Sequence, residues 1–336
     1  MNTPLHGSTL KDALAATRTP SAGDVEDYTI AASLGVGYLA RARSGAPTFL
    51  VPLVTTPVAS VGRSGGGFSL RPVARLALSY GARRWEQPAA TLECTDGALI
   101  ETFLVLVQDL VRRLEPSSAD TTWSRVLSWV EEWQTLLSRR SGLSLEQQLG
   151  LWGELWLVSK SAQPDSLVAG WRGPEREAVD FFLDGVGLEV KVSRRAHVHH
   201  VSQRQVELPV GAHAAYLLSI WVAPEPIGGV SLAELVDSLL LAVSDPPGLL
   251  KHVALLGYSP RDREQYGTRY SVLEAPLWFP VADVPRVRAA DPGIANIRYV
   301  VNLDIDKCLE GEFAKALWLH FCHSDPPFPV KPAASI

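Results

Sequence analysis

Three ionisable residues of the chain have the types and spacing of a metal-assisted hydrolytic site. Asp180 lies nine residues before Glu189, and Lys191 follows two residues after that glutamate. Two carboxylates suit a hard divalent cation, and a neighbouring ammonium can orient an attacking water and stabilise the charge that develops on a phosphate. The pattern therefore predicts cleavage of a phosphodiester bond.

A β-hairpin would bring these three side chains together. Residues 180–183 predict a short strand, 184–187 a turn rich in glycine, and 188–193 a returning strand. Because alternate residues of a strand share a face, Glu189 and Lys191 would point the same way while the apolar residues between them enter a core. The turn would then place the aspartate beside them, at a sheet edge.

The motif Asp180…Glu189-Val-Lys191 resembles the D…(D/E)xK core of the PD-(D/E)XK nuclease superfamily, which includes many restriction endonucleases. The flanking segments 149–157, 170–174 and 201–206 resemble those of the bacterial PD-(D/E)XK motif proteins encoded among anti-phage defence genes. The resemblance covers residues 140–225 well. Val179 stands where the superfamily's name has a proline. That position varies among members of the superfamily, but without the proline the sequence motif identifies the superfamily less specifically.

Chance offers an alternative explanation, since an E-x-K triplet on a strand is common and an acid nine residues earlier is not rare. The context favours the nuclease-like interpretation, because the motif falls on a predicted hairpin that follows a helix with another acid. The resemblance implies that Asp180 and Glu189, with the carbonyl oxygen of Val190, hold Mg²⁺ or Mn²⁺. It also implies that Lys191 orients or activates the attacking water.

The helix predicted before the motif carries two further acids. Residues 144–147, Ser-Leu-Glu-Gln, have the pattern of a capping box at its start. Glu154 lies beside Gly150 and Gly153, and each mid-helix glycine costs roughly 0.5–1 kcal/mol relative to alanine. We therefore expect another part of the chain to approach closely there. The resemblance implies that Glu154 completes the metal shell, with Glu146 as a second candidate that is better explained as a solvated helix glutamate.

A basic tract follows the motif. Residues 191–204 contain four Lys or Arg and three His, with no acid. Such a tract inside an acidic protein suits a phosphate-binding cleft, and it makes Arg194 and Arg195 candidate nucleic-acid contacts. The three histidines are a weak metal signal, and contact with nucleic acid or solvent is expected for them; they are His197, His199 and His200.

Two other candidate contacts flank the motif. Arg172, in a loop punctuated by glycine and proline, could face a phosphate, and Trp171 beside it could fill a core. Gln205, with Gln203 as the alternative, begins a predicted helix and resembles a glutamine that the family has near its active site.

Composition limits the class of protein. The 336 residues include 36 acidic and 31 basic side chains, 46% hydrophobic residues and ten tryptophans, so a folded protein with a sizeable core is expected. Three distant cysteines argue against a disulfide framework and fit a reducing cytoplasm. No signal peptide is evident at the start, and no apolar run reaches the roughly 18 residues of a membrane span.

The predicted fold class is α/β: a restriction-endonuclease-like αβββαβ core with an N-terminal β-rich module and a mixed C-terminal extension. The expected divisions are 1–115 for the module, 116–245 for the core with its preceding helices, and 246–336 for an extension packed on the core. A glycine run at 62–67 lacks the lysine and hydroxyl residue of a P-loop, so it predicts a turn.

These patterns predict a magnesium- or manganese-dependent endonuclease that acts on duplex DNA in a bacterial restriction or anti-phage system. The alternative is a catalytically silent nucleic-acid-binding or scaffolding subunit of a multi-gene defence complex. The acidic balance and the lack of a helix-turn-helix argue against tight unaided DNA binding, so a helicase or ATPase encoded nearby is an expected partner. Self-association as a homodimer is a further expectation, and no membrane partner is expected.

Overall fold

The chain forms two compact units. The computed structural model describes residues 7–20, 26–54, 62–114, 123–137, 142–175, 177–287 and 297–329. The first unit comprises Met1–Ser141, Pro246–Ala254 and Ser259–Asp262, and the second comprises Gly142–Asp245, Leu255–Tyr258 and Arg263–Ile336. This grouping puts residues 116–141 with the first unit. The division expected from the sequence put these residues with the core, and that three-part division stays a prediction. No helix within the described ranges is long and apolar enough to cross a membrane.

The first unit is built on a small closed sheet with helices beside it. Its elements are α1 (Gly7–Ala16), β1 (Glu26–Ser33), β2 (Tyr38–Ala42), β3 (Pro47–Pro52), β4 (Arg63–Gly65), β5 (Phe68–Tyr80), β6 (Arg83–Cys94), α2 (Ile100–Leu114) and α3 (Trp123–Leu137). Strand β1 pairs antiparallel with β2 and parallel with β5, so five strands close into a ring in the order β1-β2-β3-β6-β5. Closure pairs the edges that an open sheet would expose.

The second unit is a mixed α/β structure that contains the motif. Its elements begin with α4 (Leu145–Lys160), α5 (Pro164–Ala169), β7 (Phe181–Leu183), β8 (Val186–Ser193), β9 (Val198–Ser202), β10 (Ala214–Pro224), β11 (Val230–Ser231) and α6 (Leu232–Ala242). The chain then forms α7 (Pro246–Leu255), most of which belongs to the first unit, followed by β12 (Arg269–Val272), β13 (Leu277–Pro280), β14 (Arg298–Asn302) and α8 (Gly311–Cys322).

One six-stranded sheet organises the second unit. Its order is β11-β12-β10-β8-β7, and β13 pairs with β10 as well. Strands β8 and β10 run parallel, whereas β7, β12 and β13 are antiparallel to their partners. Helix α4 packs against β8 and α6. The strands β12 and β13 therefore make the C-terminal part of the chain an integral part of the sheet that carries Glu189 and Lys191.

Two elements of the predicted αβββαβ order differ from the expectation. Strand β9 pairs with β14 in a separate two-stranded sheet, because the chain turns after Ser193, with Ala196 in a left-handed conformation at φ 50°. The helix expected from Gln205 is a short 3-10 turn at Gln203–Val206. Pro209 prevents a longer helix here, because a proline disfavours helical dihedral angles at the residue before it.

Helix α4 lies against β8 at Gly153. A Cβ on Gly153 would come within 2.0 Å of Val192 Cγ2, whereas a Cβ on Gly150 would meet no atom within 4 Å. The close approach inferred from the two glycines therefore holds at Gly153 and is wrong at Gly150. The absence of one side chain sets the distance between the helix that carries Glu154 and the strand that carries the motif.

We expect opposite effects from alanine at these two glycines. Gly153→Ala should lower the free energy of unfolding by about 1–3 kcal/mol, because the added methyl group overpacks a tight contact. Gly150→Ala should raise it by roughly 0.5–1 kcal/mol, because helix propensity improves and no clash opposes it. Urea unfolding of both variants measures the difference, and equal effects would contradict the packing described for Gly153.

Candidate active site

The motif lies on a tight hairpin. Strands β7 and β8 pair with Phe181 opposite Leu188, and the two-residue turn between them has Asp184 at φ 47° and Gly185 at φ 78°. Two successive positive φ values match the twist that hairpins prefer. Immediately before β7, the backbone N–H of Asp180 donates to the carbonyl of Leu188 at 3.0 Å. The hairpin thus extends far enough to bring Asp180 level with the glutamate of the motif.

Backbone and side-chain contacts fix the three motif residues. The carboxylate of Asp180 accepts from the backbone N–H of Val190 at 2.8 Å. Lys191 Nζ lies 2.8 Å from Glu189 Oε1, as expected for two residues on one face of β8. Glu189 is only 1% exposed, and the side chain of Lys191 keeps 19% exposure. The lysine is therefore the member of the pair that retains access to solvent.

Glu154 reaches the same cluster from α4. Its Oε2 accepts from the indole N–H of Trp171, and a Cβ on Gly173 would lie 2.7 Å from that oxygen. The loop between α5 and β7 therefore covers this carboxylate closely, with a glycine where any side chain would collide. Glu146, the second acid of the helix, is exposed near its N-terminus. The structure thus brings Glu154 to the motif and leaves Glu146 in solvent.

Burial and mutual repulsion shift the ionisation of the cluster. Burial raises the pKa of Glu154 well above its ordinary value, and the charges of Asp180 and Glu189 raise it further. Burial also raises the pKa of Asp180, and burial followed by repulsion from Asp180 raises that of Glu189 to about 8. For Lys191, burial opposes the charged form, but the attraction of the acids outweighs it and the pKa is raised. One ammonium does not neutralise three carboxylates, of which that of Glu189 is buried and those of Asp180 and Glu154 are half-buried.

This donor set fits a hard divalent cation. Carboxylate oxygens and a backbone carbonyl are the ligands that Mg²⁺ and Mn²⁺ prefer, and a cation among them would offset the repulsion that raises their pKa values. Across the ranges that the structure describes, no three His, Cys, Asp or Glu side chains are arranged to hold one metal ion together. A site here would therefore combine two carboxylates with backbone or water oxygens, as the donors Asp180, Glu189 and Val190 allow.

Gln205 joins the cluster from the turn after β9. Its side-chain N–H donates to Glu189 Oε1, and its own carbonyl oxygen accepts from the backbone N–H of Ser202 at 2.9 Å. Gln203, the alternative, donates instead to Glu207. Of the two glutamines considered from the sequence, Gln205 is the one that contacts a motif residue.

The three candidate arginines occupy different surroundings. The backbone N–H of Arg172 donates to the carbonyl of Asp180 at 2.6 Å, while its guanidinium lies 3.6 Å from the carboxylate of Glu175. Arg194 and Arg195 are exposed in the turn after β8. Their role as nucleic-acid contacts stays a prediction, and the loop of Arg172 serves the site through its backbone.

The histidines correct one expectation. His197 and His199 are 3% and 2% exposed, so contact with solvent or nucleic acid is wrong for both, whereas His200 is exposed. His197 Nδ1 and His199 Nε2 each lie 2.7 Å from Ser219 Oγ on β10. Burial, and then the charge of Lys191, lowers the pKa of His199 to about 3, so this imidazole is neutral.

The sequence did not predict the buried contact of His197 and His199 with Ser219. Alternation of His197, His199 and Val201 could have indicated an inward face, since residues two apart on a strand share a side. Ser219 carried no such signal. Its position is fixed by the parallel pairing that sets it opposite Lys191. The two histidines and Ser219 therefore form a hydrogen-bonded group beside Lys191.

Comparison with known proteins gives one match. A family model described as "Putative PD-(D/E)XK family member, (DUF4420)" matches residues 27–304, which is more than half of the chain and includes every residue of the cluster. No curated protein and no solved structure matches the chain.

Proposed function

The chain belongs to the DUF4420 family, and because PD-(D/E)XK proteins are generally nucleases, we propose that it is a metal-dependent DNA endonuclease. The observation that carries the proposal is the arrangement of Glu154, Asp180 and Glu189 around Lys191, where the charges of the four groups act on one another. Strongly perturbed ionisable groups gathered in one place are typical of active sites. A bacterial restriction or anti-phage role is the setting that we propose for this activity.

Asp180 and Glu189, with the carbonyl oxygen of Val190, would hold the Mg²⁺ or Mn²⁺, and Glu154 would assist through water. When bound, such an ion supplies Lewis-acid stabilisation of a phosphoryl oxygen and a more acidic water. Asp180 is already oriented by the N–H of Val190, and Trp171 orients Glu154. Because these partners are in place beforehand, little reorganisation is needed on loading.

The remaining chemistry belongs to Lys191. Its ammonium stays charged, because the acids raise its pKa, so it can donate to a phosphate oxygen and orient the attacking water. Gln205 and Lys191 both contact Glu189, which holds that carboxylate toward the site. The protein's own groups thus supply orientation and charge stabilisation around the reacting phosphate.

A second candidate is a silent scaffolding or nucleic-acid-binding subunit. The depth of Glu189 favours it, since this carboxylate is almost fully buried and already paired with Lys191. The net charge of −5 also opposes unaided attraction to DNA. In either case we propose a helicase or ATPase as the partner, which for a nuclease would deliver the DNA substrate.

Incubation with supercoiled plasmid and with linear duplex, in Mg²⁺, Mn²⁺ or EDTA, tests the proposal. Each reaction is run alone and with the products of neighbouring genes. We expect metal-dependent cutting that disappears in Asp180→Asn and persists in Glu146→Gln, a matched carboxylate-to-amide change at an exposed acid of α4. Stable complexes with a neighbour and no cutting in any combination would favour the scaffold.

A further inference from the structure

A polar cavity of about 410 Å³ opens beside the active site. Its size is in the range of sites that hold small ligands. We call it the turn cavity, because the 3-10 turn after β9 and the start of β14 form much of its wall. Its charged and amide side chains are those of Glu177, Gln203, Arg204, Gln205, Glu207 and Arg298.

Gln205 is the wall that the turn cavity shares with the active site. The same side chain that lines the cavity donates to Glu189 Oε1. Its orientation is fixed, because its carbonyl oxygen accepts from the N–H of Ser202 and leaves the amide nitrogen for the glutamate. A ligand in the cavity would therefore lie one side chain away from a motif carboxylate.

Backbone pairing fixes the positions of the two arginines. Arg298 lies opposite Ser202 in the β9–β14 ladder, and the N–H of Gln203 donates to the carbonyl of Ile297 at 3.0 Å. Arg204 follows directly in the turn. Both arginines are exposed, and neither forms an ion pair with another residue that the structure describes. They are two positive charges on hydrogen-bonded backbone, and their side chains are open to a ligand.

The remaining side chains give the cavity a mixed character. Gln203 donates to Glu207 at 3.0 Å, and Glu177 is a second exposed acid at the rim. A site for phosphate alone would gain nothing from carboxylates. A nucleotide offers both kinds of partner, because its phosphate oxygens accept from arginine while base and sugar present donors as well.

We propose that the turn cavity binds the nucleotide next to the scissile phosphodiester. Arg204 and Arg298 contact its phosphate oxygens, and Gln203 and Glu207 face its base or sugar. The inference rests on the proposed function and deepens it, since it assigns substrate contacts to β14, a strand far along the chain from the motif. It makes Gln205 a positioning residue, which would hold the carboxylate of Glu189 beside the bound DNA.

Fluorescence anisotropy with a labelled DNA duplex in EDTA tests the proposal without cleavage. Arg204→Ala and Arg298→Ala should each weaken binding by roughly 5- to 10-fold and reduce the salt dependence by about one phosphate contact. Arg286→Ala removes the same charge from an exposed position outside the cavity, and it should change binding less than about twofold. Wild-type affinity in both cavity variants, losses no larger than that of Arg286→Ala, or no binding by the wild type would overturn the proposal.

A cleavage assay distinguishes failure of the cavity proposal from failure of the nuclease proposal. If the two arginines prove necessary for binding but no metal allows cutting, the nuclease proposal fails and the cavity proposal holds. If the wild type cuts and both variants cut equally well at low DNA concentration, the cavity proposal fails alone. Melting temperatures of the variants should equal that of the wild type, because the two side chains make no ion pair in the described part of the chain.

Discussion

Replacement of Lys191 by alanine is expected to lower DNA cleavage by at least about 100-fold while DNA binding in EDTA is unchanged. The ammonium lies 2.8 Å from Glu189 Oε1 and keeps 19% exposure, so it is the charged donor that can reach a phosphate from within the cluster. Removal of one preorganised donor to a developing negative charge costs roughly 10²–10³ in rate in other enzymes. The turnover number should fall more than the apparent affinity.

The design must separate chemistry from folding. Lys191→Met keeps the length and apolar stem of the side chain, and it should lose as much activity as the alanine variant. Circular dichroism and melting in EDTA report whether each variant is folded. Wild-type cleavage in either folded variant would remove Lys191 from the mechanism.

Replacement of Glu189 by glutamine is expected to stabilise the metal-free protein at pH 8, although it should abolish cleavage. Three carboxylates repel one another around one ammonium, and burial and this repulsion raise the pKa of Glu189 to about 8. One pKa unit corresponds to about 1.4 kcal/mol, so we expect a gain on the order of a few kcal/mol. Each kcal/mol should raise the melting temperature by roughly 2–4 °C.

The pH dependence of this gain follows from the raised pKa. In the unfolded chain Glu189 ionises near its ordinary value of 4.5, whereas in the fold it stays protonated up to about pH 8. The free energy of unfolding of the wild type therefore falls as pH rises from about 4.5 to 8. The glutamine variant has no ionisable group at this position, so it does not show this fall. The two melting curves should lie close together near pH 4.5 and separate progressively up to pH 8.

Melting in EDTA at several pH values, with Glu146→Gln as the control, measures the effect. The control makes the same carboxylate-to-amide change at an exposed acid of α4, so its melting temperature should follow that of the wild type at every pH. A Glu189→Gln variant that melts below the wild type at pH 8 would contradict the electrostatic account of the cluster.

The site was more predictable than the sheet around it. Period-two alternation and the glycine turn were enough to bring Asp180, Glu189 and Lys191 together, because all three lie on one local hairpin. Glu154 was identified from its glycine neighbour and the family resemblance. Gln205 came from the resemblance alone, and the structure gives it a contact with Glu189.

The features that were missed depend on distant pairing. Ring closure in the first unit requires β1 to pair with β5, about fifty residues further along, and no local pattern encodes that register. The recruitment of β12 and β13 to the central sheet is equally non-local. The burial of His197 and His199 follows from the left-handed turn at Ala196, a conformation that a non-glycine residue rarely adopts.

Calorimetric titration with Mn²⁺ at pH 8 tests the central claim most directly, since it asks whether the cluster holds a divalent cation at all. The wild type and Glu146→Gln should each bind one ion per chain, and Asp180→Asn should lose that binding because a motif carboxylate is gone. No Mn²⁺ binding by the wild type, or equal binding by Asp180→Asn, would contradict the account of these residues as a metal-dependent active site.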